Sequence, residues 1–376
     1  MNKIPKLKVA TVIGTRPEII RLSRVMAKLD KFCDHYIIHT GQNYDYELNE
    51  IFFKDFEIRK PDYFLSAAKE RVADSIGAII SSSDKIFREL NPDAILVLGD
   101  TNSCLSAIAA KRRKIPIFHM EAGNRCFDMR VPEEINRKIV DHIADVNLPY
   151  SAISRSYLIR EGINPDTIVT TGSPMKEVIN HSIKKINSSK ILQKLKIKEE
   201  NYFVVSCHRE ENVDLDDRLI NLINILNKIS SVYKCPIIFS THPRTKNRLS
   251  QTSVKLSSNI NFIKPLNFSD YNKLQLSSKV VLSDSGTVNE ESSILGFNAI
   301  NIRDTHERPE AMEEAATIMT GFNEERIFQA LEFYNLSKNN ISKIVKDYDV
   351  DDVSEKVVKT ILSYTDFSNR NTWKKY

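Results

Sequence analysis

The chain has 376 residues, too many for one ordinary hydrophobic core, and this length predicts two domains. Hydrophobic residues make up 41% and charged residues 27%, proportions that exclude a disordered chain. The net charge of +5 is spread over 54 basic and 49 acidic residues, which disfavours a nucleic-acid-binding protein and allows a small anionic ligand.

The cysteines and the N-terminus indicate the compartment. The five cysteines are scattered along the chain and form no CxxC pair, a pattern typical of reduced thiols. The apolar run near the N-terminus spans about seven residues, shorter than a signal-peptide core or a membrane span. We therefore expect a cytoplasmic protein that does not contact a membrane.

The first half of the chain alternates short apolar runs with helical segments. The first run leads into a helix with Pro17 in its first turn, a favourable place for proline. The predicted strands of this half lie at 7–13, 35–40, 94–100 and 115–120. Nearly continuous apolar strands of this kind indicate a parallel sheet that is covered on both faces.

The second half repeats this pattern after a polar, lysine-rich segment at 179–201, which we interpret as a linker. Its predicted strands lie at 202–207, 236–241, 259–263, 279–284 and 298–302. The tail from residue 353 has the period of an amphipathic helix. We therefore predict an α/β protein with two Rossmann-like, doubly wound domains that face each other across a ligand-binding cleft.

Because ligands bind beyond the carboxyl ends of parallel strands, residues that follow strands are the functional candidates. The sequence GTRPE at 14–18 can offer backbone amides and Arg16 to an anion at a helix N-terminus. Alternatively, Gly14 only makes a tight turn. Neither a GxGxxG dinucleotide fingerprint nor a GxxxxGK[ST] phosphate loop is present in the sequence.

Two carboxylates follow neighbouring predicted strands. Asp100 ends one strand, and it either caps a helix that starts near Thr101 or faces the cleft. Glu121 has the corresponding place after the next strand, and two such carboxylates are harder to explain as helix caps. Close like charges raise the proton affinity of one group, which suits general acid and base chemistry.

A charged helix start follows from Val131. The sequence VPEEINR places a proline and two glutamates in a first helical turn, which an ordinary helix start would also explain. Arg137 lies four residues after Glu133 on the same helical face and is predicted to hold that carboxylate. Together these charges indicate a site that binds an anion and moves protons.

Two histidines follow predicted strands of the second half, His208 beside Arg209 and His242 near Arg244. A histidine in such a place is either an ordinary polar contact or a group for binding and proton transfer. The sequence contains no HExxH, no GxSxG and no Cys/His cluster with ligand spacing, so neither a metal site nor a nucleophilic serine is expected.

The sequence SDSGTVNEES indicates a phosphate-binding helix start. Ser285 and Gly286 can offer amides to a phosphate, and Glu290 or Glu291 can accept bonds from ribose hydroxyls. A plain capped helix is the alternative. The arginines that suit bidentate phosphate contact near the same edge are Arg303 and Arg308. These features predict a nucleotide-diphosphate ligand.

Seven motifs, GTRPEIIRL, GDTNS, HMEAGNR, VPEEINR, CHREEN, DSGTVNEES and RDTHERPE, resemble in order and spacing the non-hydrolysing UDP-N-acetylglucosamine 2-epimerase family. The resemblance covers nearly the whole chain. It implies a glycosyltransferase-B type fold, with domains at 1–176 and 177–355 and a last helix at 356–376 that packs on the N-terminal domain. It also implies C2 epimerisation of a UDP-linked 2-acetamido sugar, through elimination of UDP to a 2-acetamidoglycal and re-addition on the other face.

The resemblance further implies roles for single residues. Catalytic roles fall on Asp100, Glu121 and Glu133, which remove and return the C2 proton, and on His208 near the diphosphate. The substrate-binding positions that it implies are Arg16, Tyr271, Ser285, Gly286, Glu291 and Arg308, and we also predict substrate-binding roles for Arg21 and Arg137. Tyr271 has the place of a ring that stacks on uracil.

Departures from the commoner GlcNAc enzymes indicate a subfamily. Those enzymes have lysine in place of Arg21, two adjacent glycines in place of Gly286 and Thr287, and a longer segment between Glu121 and Glu133. With the sequence STHPRTKNR and the ending SYTDF…WKKY, this chain resembles the subfamily that makes UDP-N-acetyl-L-fucosamine from UDP-2-acetamido-2,6-dideoxy-L-talose. Such a product feeds capsule or O-antigen synthesis.

Three other functions stay open: a UDP-GlcNAc/UDP-ManNAc 2-epimerase, a glycosyltransferase with the same UDP site, and a non-catalytic sensor of nucleotide sugars. Fold alone does not separate them. The three carboxylates favour an epimerase, because a glycosyltransferase does not exchange a C2 proton. We expect a homodimer that binds a UDP-sugar, uses no cofactor and no metal, and binds no nucleic acid.

Overall fold

The computed structural model describes residues 4–41, 52–207, 212, 216–241, 254–337 and 343–375. The chain forms two units: Met1–Asn180 with Asp347–Tyr376, and His181–Lys346. The end of the chain therefore belongs to the first unit from Asp347 onward. The sequence prediction ends the second domain at residue 355 and starts the returning helix at residue 356.

The first unit is built on a parallel sheet with the strand order β3-β2-β1-β4-β5-β6. Its strands are β1 Lys8–Ile13, β2 Asp34–His39, β3 Tyr63–Phe64, β4 Ala94–Leu98, β5 Ile117–Met120 and β6 Val146–Leu148. Its helices are α1 Arg16–Phe32, α2 Val72–Leu90, α3 Ser106–Arg112, α4 Pro132–Ile143, α5 Ala152–Arg160 and, at the end of the chain, α13 Val353–Asn371. Helix α6, Met175–Ser188, begins in this unit and continues into the second.

The second unit repeats this architecture, with the strand order β12-β11-β10-β7-β8-β9. Its strands are β7 Phe203–Ser206, β8 Ile237–Ser240, β9 Ile260–Ile263, β10 Val280–Ser283, β11 Ala299–Asn301 and β12 Ile318–Met319. Its helices are α7 Ile191–Leu195, α8 Asp216–Tyr233, α9 Phe268–Leu276, α10 Thr287–Leu295, α11 Pro309–Glu313 and α12 Glu324–Leu336.

The strand order places the functional candidates in each unit. In the first sheet β1 pairs with both β2 and β4, and in the second β7 pairs with both β8 and β10. The order reverses at these central strands, and ligands of doubly wound sheets bind outside the carboxyl ends there. The predicted α/β class with two Rossmann-like, doubly wound domains is confirmed.

Burial explains which strands the sequence predicts. Every residue of β4 is buried, as expected for a parallel strand that helices cover on both faces. The strands that the sequence misses in the described part of the chain, β3, β6 and β12, have only two or three residues and lie at sheet edges. Such short segments carry no readable periodicity.

The segment at 179–201 is not a plain linker. It contains the end of α6 and the whole of α7, and Ile186 and Ile191 are buried. The boundary between the units lies within this segment, at Asn180 and His181. Helical packing of its isoleucines therefore outweighs its polar, lysine-rich composition.

The last helix, α13, packs against α1 of the first unit. Lys28 of α1 lies 3.4 Å from Glu355, and the backbone N–H of Ser354 donates to the Glu177 carboxylate at 3.2 Å. None of the helices in the described part of the chain combines the length and the apolar character that a membrane crossing needs.

Candidate active site

The loop after β1 is closed by Glu18, a buried residue in the first turn of α1. Its Oε2 accepts hydrogen bonds from the backbone N–H groups of Gly14 and Thr15 at 2.8 and 2.7 Å, and its Oε1 accepts one from the Thr101 hydroxyl at 2.8 Å. Burial raises the pKa of Glu18 to about 7, although these bonds favour the ionised form. The prediction that this loop offers its amides to an anion is wrong for Gly14 and Thr15, because both N–H groups donate to the Glu18 carboxylate, that of Thr15 within a capping box.

Arg16 begins α1 and is half-buried. Its guanidinium carbon lies 5.7 Å from the centre of the Phe52 ring, within the range of a cation–π contact. The predicted contact between Arg16 and the UDP moiety stays a prediction.

Glu121 follows β5 and forms an ion pair with Arg21 of α1. The two side chains are only 8% and 5% exposed. Glu121 has a left-handed backbone with φ of 63°, a conformation that few residues other than glycine adopt. The Asn124 amide lies 3.4 Å from the second carboxylate oxygen. The structure therefore fixes the Glu121 carboxylate from two sides.

Asp100 follows β4 and binds Arg137 of α4. The Asp100 Oδ2 lies 2.7 Å from the Arg137 Nε and 2.6 Å from its Nη2. Thr101, and not Asp100, caps the following 3₁₀ turn, because the Thr101 hydroxyl accepts a bond from the Ser103 N–H at 3.3 Å. Of the two interpretations of Asp100, the helix cap is therefore excluded.

The carboxylates of Asp100 and Glu121 share one edge of the sheet. Strands β4 and β5 are paired in register, and the Gly99 N–H donates to the Met120 carbonyl at 2.9 Å. A Cβ atom at Gly99 would lie 3.9 Å from the carboxyl carbon of Glu121. The structure thus places two carboxylates at adjoining strand ends, each against a buried arginine, an arrangement able to take and return protons.

Arg137 also binds Glu134, which is fully buried, at 2.7 Å. Glu134 accepts further bonds from the N–H groups of Cys126 and Phe127, both at 3.2 Å. Burial opposes ionisation of Glu134, but Arg137 and these amides hold its pKa below the usual value. Glu133 is half-buried in the first turn of α4, and its contact with Arg137 and its catalytic role stay predictions.

Two buried carboxylates of this edge, Glu18 and Glu134, are absent from the site that the sequence predicts. Glu18 has a readable signal, since Thr15 and Glu18 match the S/T-x-x-E pattern of a capping box. From the sequence alone, Glu134 is recognisable only as an acidic residue that is favourable near a helix start. Its backbone partners come from the loop before α4, and no spacing rule predicts them.

In the second unit, β10 leads into α10 through Ser285 and Gly286. Gly286 is the N-cap, and the Ser285 hydroxyl accepts a bond from the Thr287 N–H at 3.3 Å. Ser285, Gly286 and Thr287 are half-buried. A Cβ atom at Gly286 would have the Glu307 Oε2 as its nearest neighbour, at 3.9 Å. The start of α10 is therefore roomy and partly open, as an anion site at a helix N-terminus requires.

Two glutamates of α10 lie one turn further on. Glu290 is fully buried, and its Oε2 lies 3.5 Å from the Nε of Arg308, which is 3% exposed. Glu291 accepts a bond from the Gln275 side chain of α9 at 3.0 Å. The structure thus brings Arg308 to the helix whose start holds Ser285, while the UDP contacts of both residues stay predictions.

Tyr271 and Arg303 lie near the same helix. Tyr271 of α9 packs against a buried cluster that includes Leu274 and Val288, and burial raises the pKa of its phenol. Arg303 follows β11 and lies 3.0 Å from the Glu307 carboxylate. Stacking of Tyr271 on uracil stays a prediction.

Four predicted residues, His208, Arg209, His242 and Arg244, lie outside the described residues. Among the residues that are described, no group of three or more His, Cys, Asp and Glu side chains is placed to hold a metal ion.

Comparison with known proteins gives one consistent family. A family model described as UDP-N-acetylglucosamine 2-epimerase matches residues 27–362. The UDP-N-acetylglucosamine 2-epimerase of Methanocaldococcus jannaschii is 36% identical over 343 residues, which make up 89% of this chain and 94% of that protein. A crystal structure of the M. jannaschii UDP-GlcNAc 2-epimerase with UDP-GlcNAc and UDP has a TM-score of 0.88 at 34% identity, covering 95% of this chain and 100% of that one.

Two further relatives extend the comparison. The structure of UDP-N-acetylglucosamine 2-epimerase from Rickettsia bellii has a TM-score of 0.92 at 48% identity and covers 98% of this chain and 100% of that chain. The UDP-2,3-diacetamido-2,3-dideoxy-D-glucuronate 2-epimerase of Pseudomonas aeruginosa is 30% identical over 346 residues, which are 91% of this chain and 94% of that protein.

The fold, the carboxylate edge and these likenesses define a class: the chain is an isomerase, a UDP-sugar 2-epimerase. More particularly, it belongs to the UDP-N-acetylglucosamine 2-epimerase family.

Proposed function

We propose that this enzyme inverts C2 of a UDP-linked 2-acetamido sugar by eliminating UDP and adding it back. The observation that carries the proposal is the pair of carboxylates at adjoining strand ends, Asp100 after β4 and Glu121 after β5, each against a buried arginine. Carboxylates held in this way can take a proton from one face of a carbon and return a proton to the other.

The proposed reaction has two balanced halves. First, a carboxylate takes the C2 proton, the C1–C2 double bond forms, and the C1–O bond breaks, so that UDP leaves a 2-acetamidoglycal. Then a protonated carboxyl returns a proton to the other face of C2 while a UDP oxygen bonds to C1. Nothing is oxidised or reduced overall, and Asp100, Glu121 and Glu133 carry the proton transfers.

The second unit supplies most of the UDP site in this proposal. Negative charge grows on the departing UDP, so amides at the start of α10 and nearby arginines lower the barrier electrostatically. Support comes from the partly open turn at Ser285 and Gly286 and from Arg308 beside α10. The proposed UDP contacts are Arg16, His208, Tyr271, Ser285, Gly286, Glu291 and Arg308.

The particular sugar in this proposal is UDP-2-acetamido-2,6-dideoxy-L-talose, which becomes UDP-N-acetyl-L-fucosamine for capsule or O-antigen synthesis. Arg21 supports this choice, because it binds Glu121 where the commoner GlcNAc enzymes have lysine. The Gly286 and Thr287 pair and the short segment before Glu133 are further support. We also propose a homodimer in the cytoplasm.

A second candidate substrate pair is UDP-GlcNAc and UDP-ManNAc. It is supported by the similarity to the M. jannaschii and R. bellii enzymes, whose names include UDP-N-acetylglucosamine or UDP-GlcNAc. The P. aeruginosa relative, named for a diacetamido uronate, supports the view that sugars differ among similar chains.

Deuterium exchange tests the proposed chemistry. The enzyme is incubated with a UDP-sugar in deuterated water, and deuterium at C2 is measured by mass spectrometry and NMR. We expect incorporation without an acceptor or a nicotinamide, and its loss in Asp100→Asn and Glu121→Gln. Asp84→Asn is a matched control, because Asp84 pairs with Arg113 at 2.6 Å on the outside of the same unit.

The outcomes separate the candidate functions. A glycosyltransferase would need an acceptor and leave C2 undeuterated, and a sensor would bind the UDP-sugar without turnover. Undiminished exchange in both Asp100→Asn and Glu121→Gln would refute the assigned carboxylates. A direct competition between the L-talo and D-gluco substrates decides the sugar, with a larger kcat/KM expected for the L-talo compound.

A further inference from the structure

His119 is a fully buried histidine of β5, two residues before Glu121. Its Nε2 donates a hydrogen bond to the Gly99 carbonyl at 2.8 Å, since a carbonyl oxygen can only accept. Its Nδ1 lies 2.9 Å from the Oδ1 of Asp141, another fully buried residue. The imidazole therefore joins the ends of β4 and β5 to helix α4.

The Asp141 side of this arrangement is also fixed. The Asp141 carboxylate binds Arg125 at 2.7 Å and accepts a bond from the Gly123 N–H at 3.2 Å, and Arg125 binds Glu161 at 2.6 Å. Burial opposes protonation of His119, but Asp141 and the carbonyl raise its pKa above the usual value. Asp141 and Arg125 thus link His119 to Glu161 in one polar cluster beneath the strand ends.

The carbonyl that His119 holds belongs to the residue directly before Asp100. Gly99 has a left-handed φ of 67°, so this peptide unit could rotate easily without a fixed partner. The hydrogen bond from His119 fixes the direction of the carbonyl and, through it, the path of the chain into Asp100. The strand of His119 ends at Met120, and Glu121 follows it directly with a left-handed φ of 63°.

We propose that His119 is a positioning residue of the active site, which fixes the Gly99 carbonyl and thereby the place of the Asp100 carboxylate beside Glu121. This inference rests on the proposed function, because it concerns the carboxylates that we assign to proton transfer. His119 acts through Gly99 and does not touch the substrate.

Two substitutions separate the contacts of the ring. Asparagine places its amide near the Nδ1 position, so H119N keeps a partner for Asp141 and loses the bond to Gly99. Glutamine reaches the Nε2 position, so H119Q keeps the bond to Gly99 and loses the contact with Asp141. The comparison therefore isolates the contact that the inference requires.

We expect H119N to lower kcat for C2 exchange by about 100-fold, because a displacement of about 1 Å at a reacting group has an effect of this size. KM should stay within about threefold of the wild-type value, since ground-state binding is unchanged. H119Q should keep kcat within about tenfold of the wild type.

His35 of β2 provides the matched control. Its Nε2 lies 2.8 Å from the Thr11 hydroxyl and its Nδ1 lies 2.6 Å from Asp30. Like His119 it joins a neighbouring strand to a helix, but near the amino ends of the strands. We expect H35N to lower the melting temperature and to leave kcat within about twofold of the wild type.

Several results would overturn the inference: a wild-type kcat in H119N, equal losses in H119N and H119Q, or the same kcat loss in H35N. If H119N does not fold, a 100-fold loss of kcat in H119Q decides against the inference, since H119Q keeps the bond to Gly99. A crystal structure of H119N gives a test without turnover, in which the Asp100 Oδ2 should leave its place 2.7 Å from the Arg137 Nε. If the wild type exchanges no C2 proton, the proposed function fails, while an unmoved Asp100 would refute the role of His119 alone.

Discussion

Arginines orient the carboxylates at the edge of the first sheet. Arg137 holds Asp100 through two guanidinium nitrogens, and Arg21 holds Glu121. Desolvation offsets much of the attraction within a buried ion pair, so such pairs add little net stability. Their effect is geometric, because a planar guanidinium fixes a carboxylate better than a lysine point charge does.

Substitutions of Arg21 test this orientation. We expect Arg21→Met to lower the free energy of unfolding by about 3 to 5 kcal/mol, because Glu121 loses its buried ion-pair partner. The kcat for C2 exchange should fall by about 100-fold in Arg21→Met and by about tenfold in Arg21→Lys. Urea unfolding and deuterium exchange measure both effects.

The control for Arg21 is Arg71→Met. Arg71 pairs with Asp74 at 2.7 Å, and the two side chains are 79% and 45% exposed. Its loss should change the free energy of unfolding by less than about 1 kcal/mol. Equal effects of Arg21→Met and Arg71→Met would contradict an orienting role for Arg21.

Glu18 should make stability depend on pH. Burial raises its pKa from 4.5 to about 7, so the unfolded carboxyl ionises first as the pH rises. The contribution of Glu18 to stability is complete below pH 4.5 and falls by about 3 kcal/mol as the pH rises through 7. The free energy of unfolding of Glu18→Gln should therefore increase relative to that of the wild type between pH 4.5 and pH 8.

Chemical unfolding at several pH values measures this difference for Glu18. Glu89→Gln is the control, since Glu89 is exposed on α2 and should follow the wild type at every pH. A constant difference between the wild type and Glu18→Gln across this range would show that the buried carboxyl does not titrate there.

At the scale of elements, local pattern predicts strands and helix starts but not the contacts between them. The apolar run of β4 is recognisable in the sequence because the whole strand is buried. The capping box is recognisable because Thr15 and Glu18 lie close together in the sequence. The Arg21 to Glu121 pair joins residues 100 positions apart. Tertiary packing brings such residues together, so no sequence periodicity predicts the pair.

The turn at Gly123 fixes how the loop after β5 packs on α5. Gly123 has φ of 79°, and a Cβ atom there would lie 2.4 Å from the Ser154 carbonyl oxygen. Gly162 has φ of 88°, but a Cβ atom there meets no described atom within 4 Å. Both alanine variants have the backbone strain of a left-handed residue, and only Gly123→Ala adds a clash with backbone.

We therefore expect Gly162→Ala to lower the free energy of unfolding by about 1 kcal/mol and Gly123→Ala by about 3 kcal/mol or more. Urea unfolding of the two variants gives the comparison. Equal losses would mean that the loop after β5 moves away from α5 at little energetic cost.

At the scale of the whole molecule, repetition of one architecture makes the fold predictable from sequence. Two series of apolar runs give two sheets with the same relative strand order. Candidate residues follow β1, β4 and β5 in the first unit and β10 in the second. The boundary is less predictable, because α6 begins in one unit and ends in the other. The return of the chain at Asp347 is likewise set by packing of α13 on α1.

Binding of UDP without an attached sugar should not require the carboxylates that we assign to proton transfer. Because a ligand that binds only the native state shifts the unfolding equilibrium, UDP at 100 times its Kd should raise the free energy of unfolding by about 2.7 kcal/mol. Asp100→Asn should keep this shift, since Asp100 is assigned to the sugar, whereas Arg308→Gln and the milder Ser285→Ala should reduce it. Amide hydrogen exchange should show UDP-dependent protection at the start of α10. Loss of the UDP shift in Asp100→Asn, with retention in Arg308→Gln, would reverse the roles assigned to the two units.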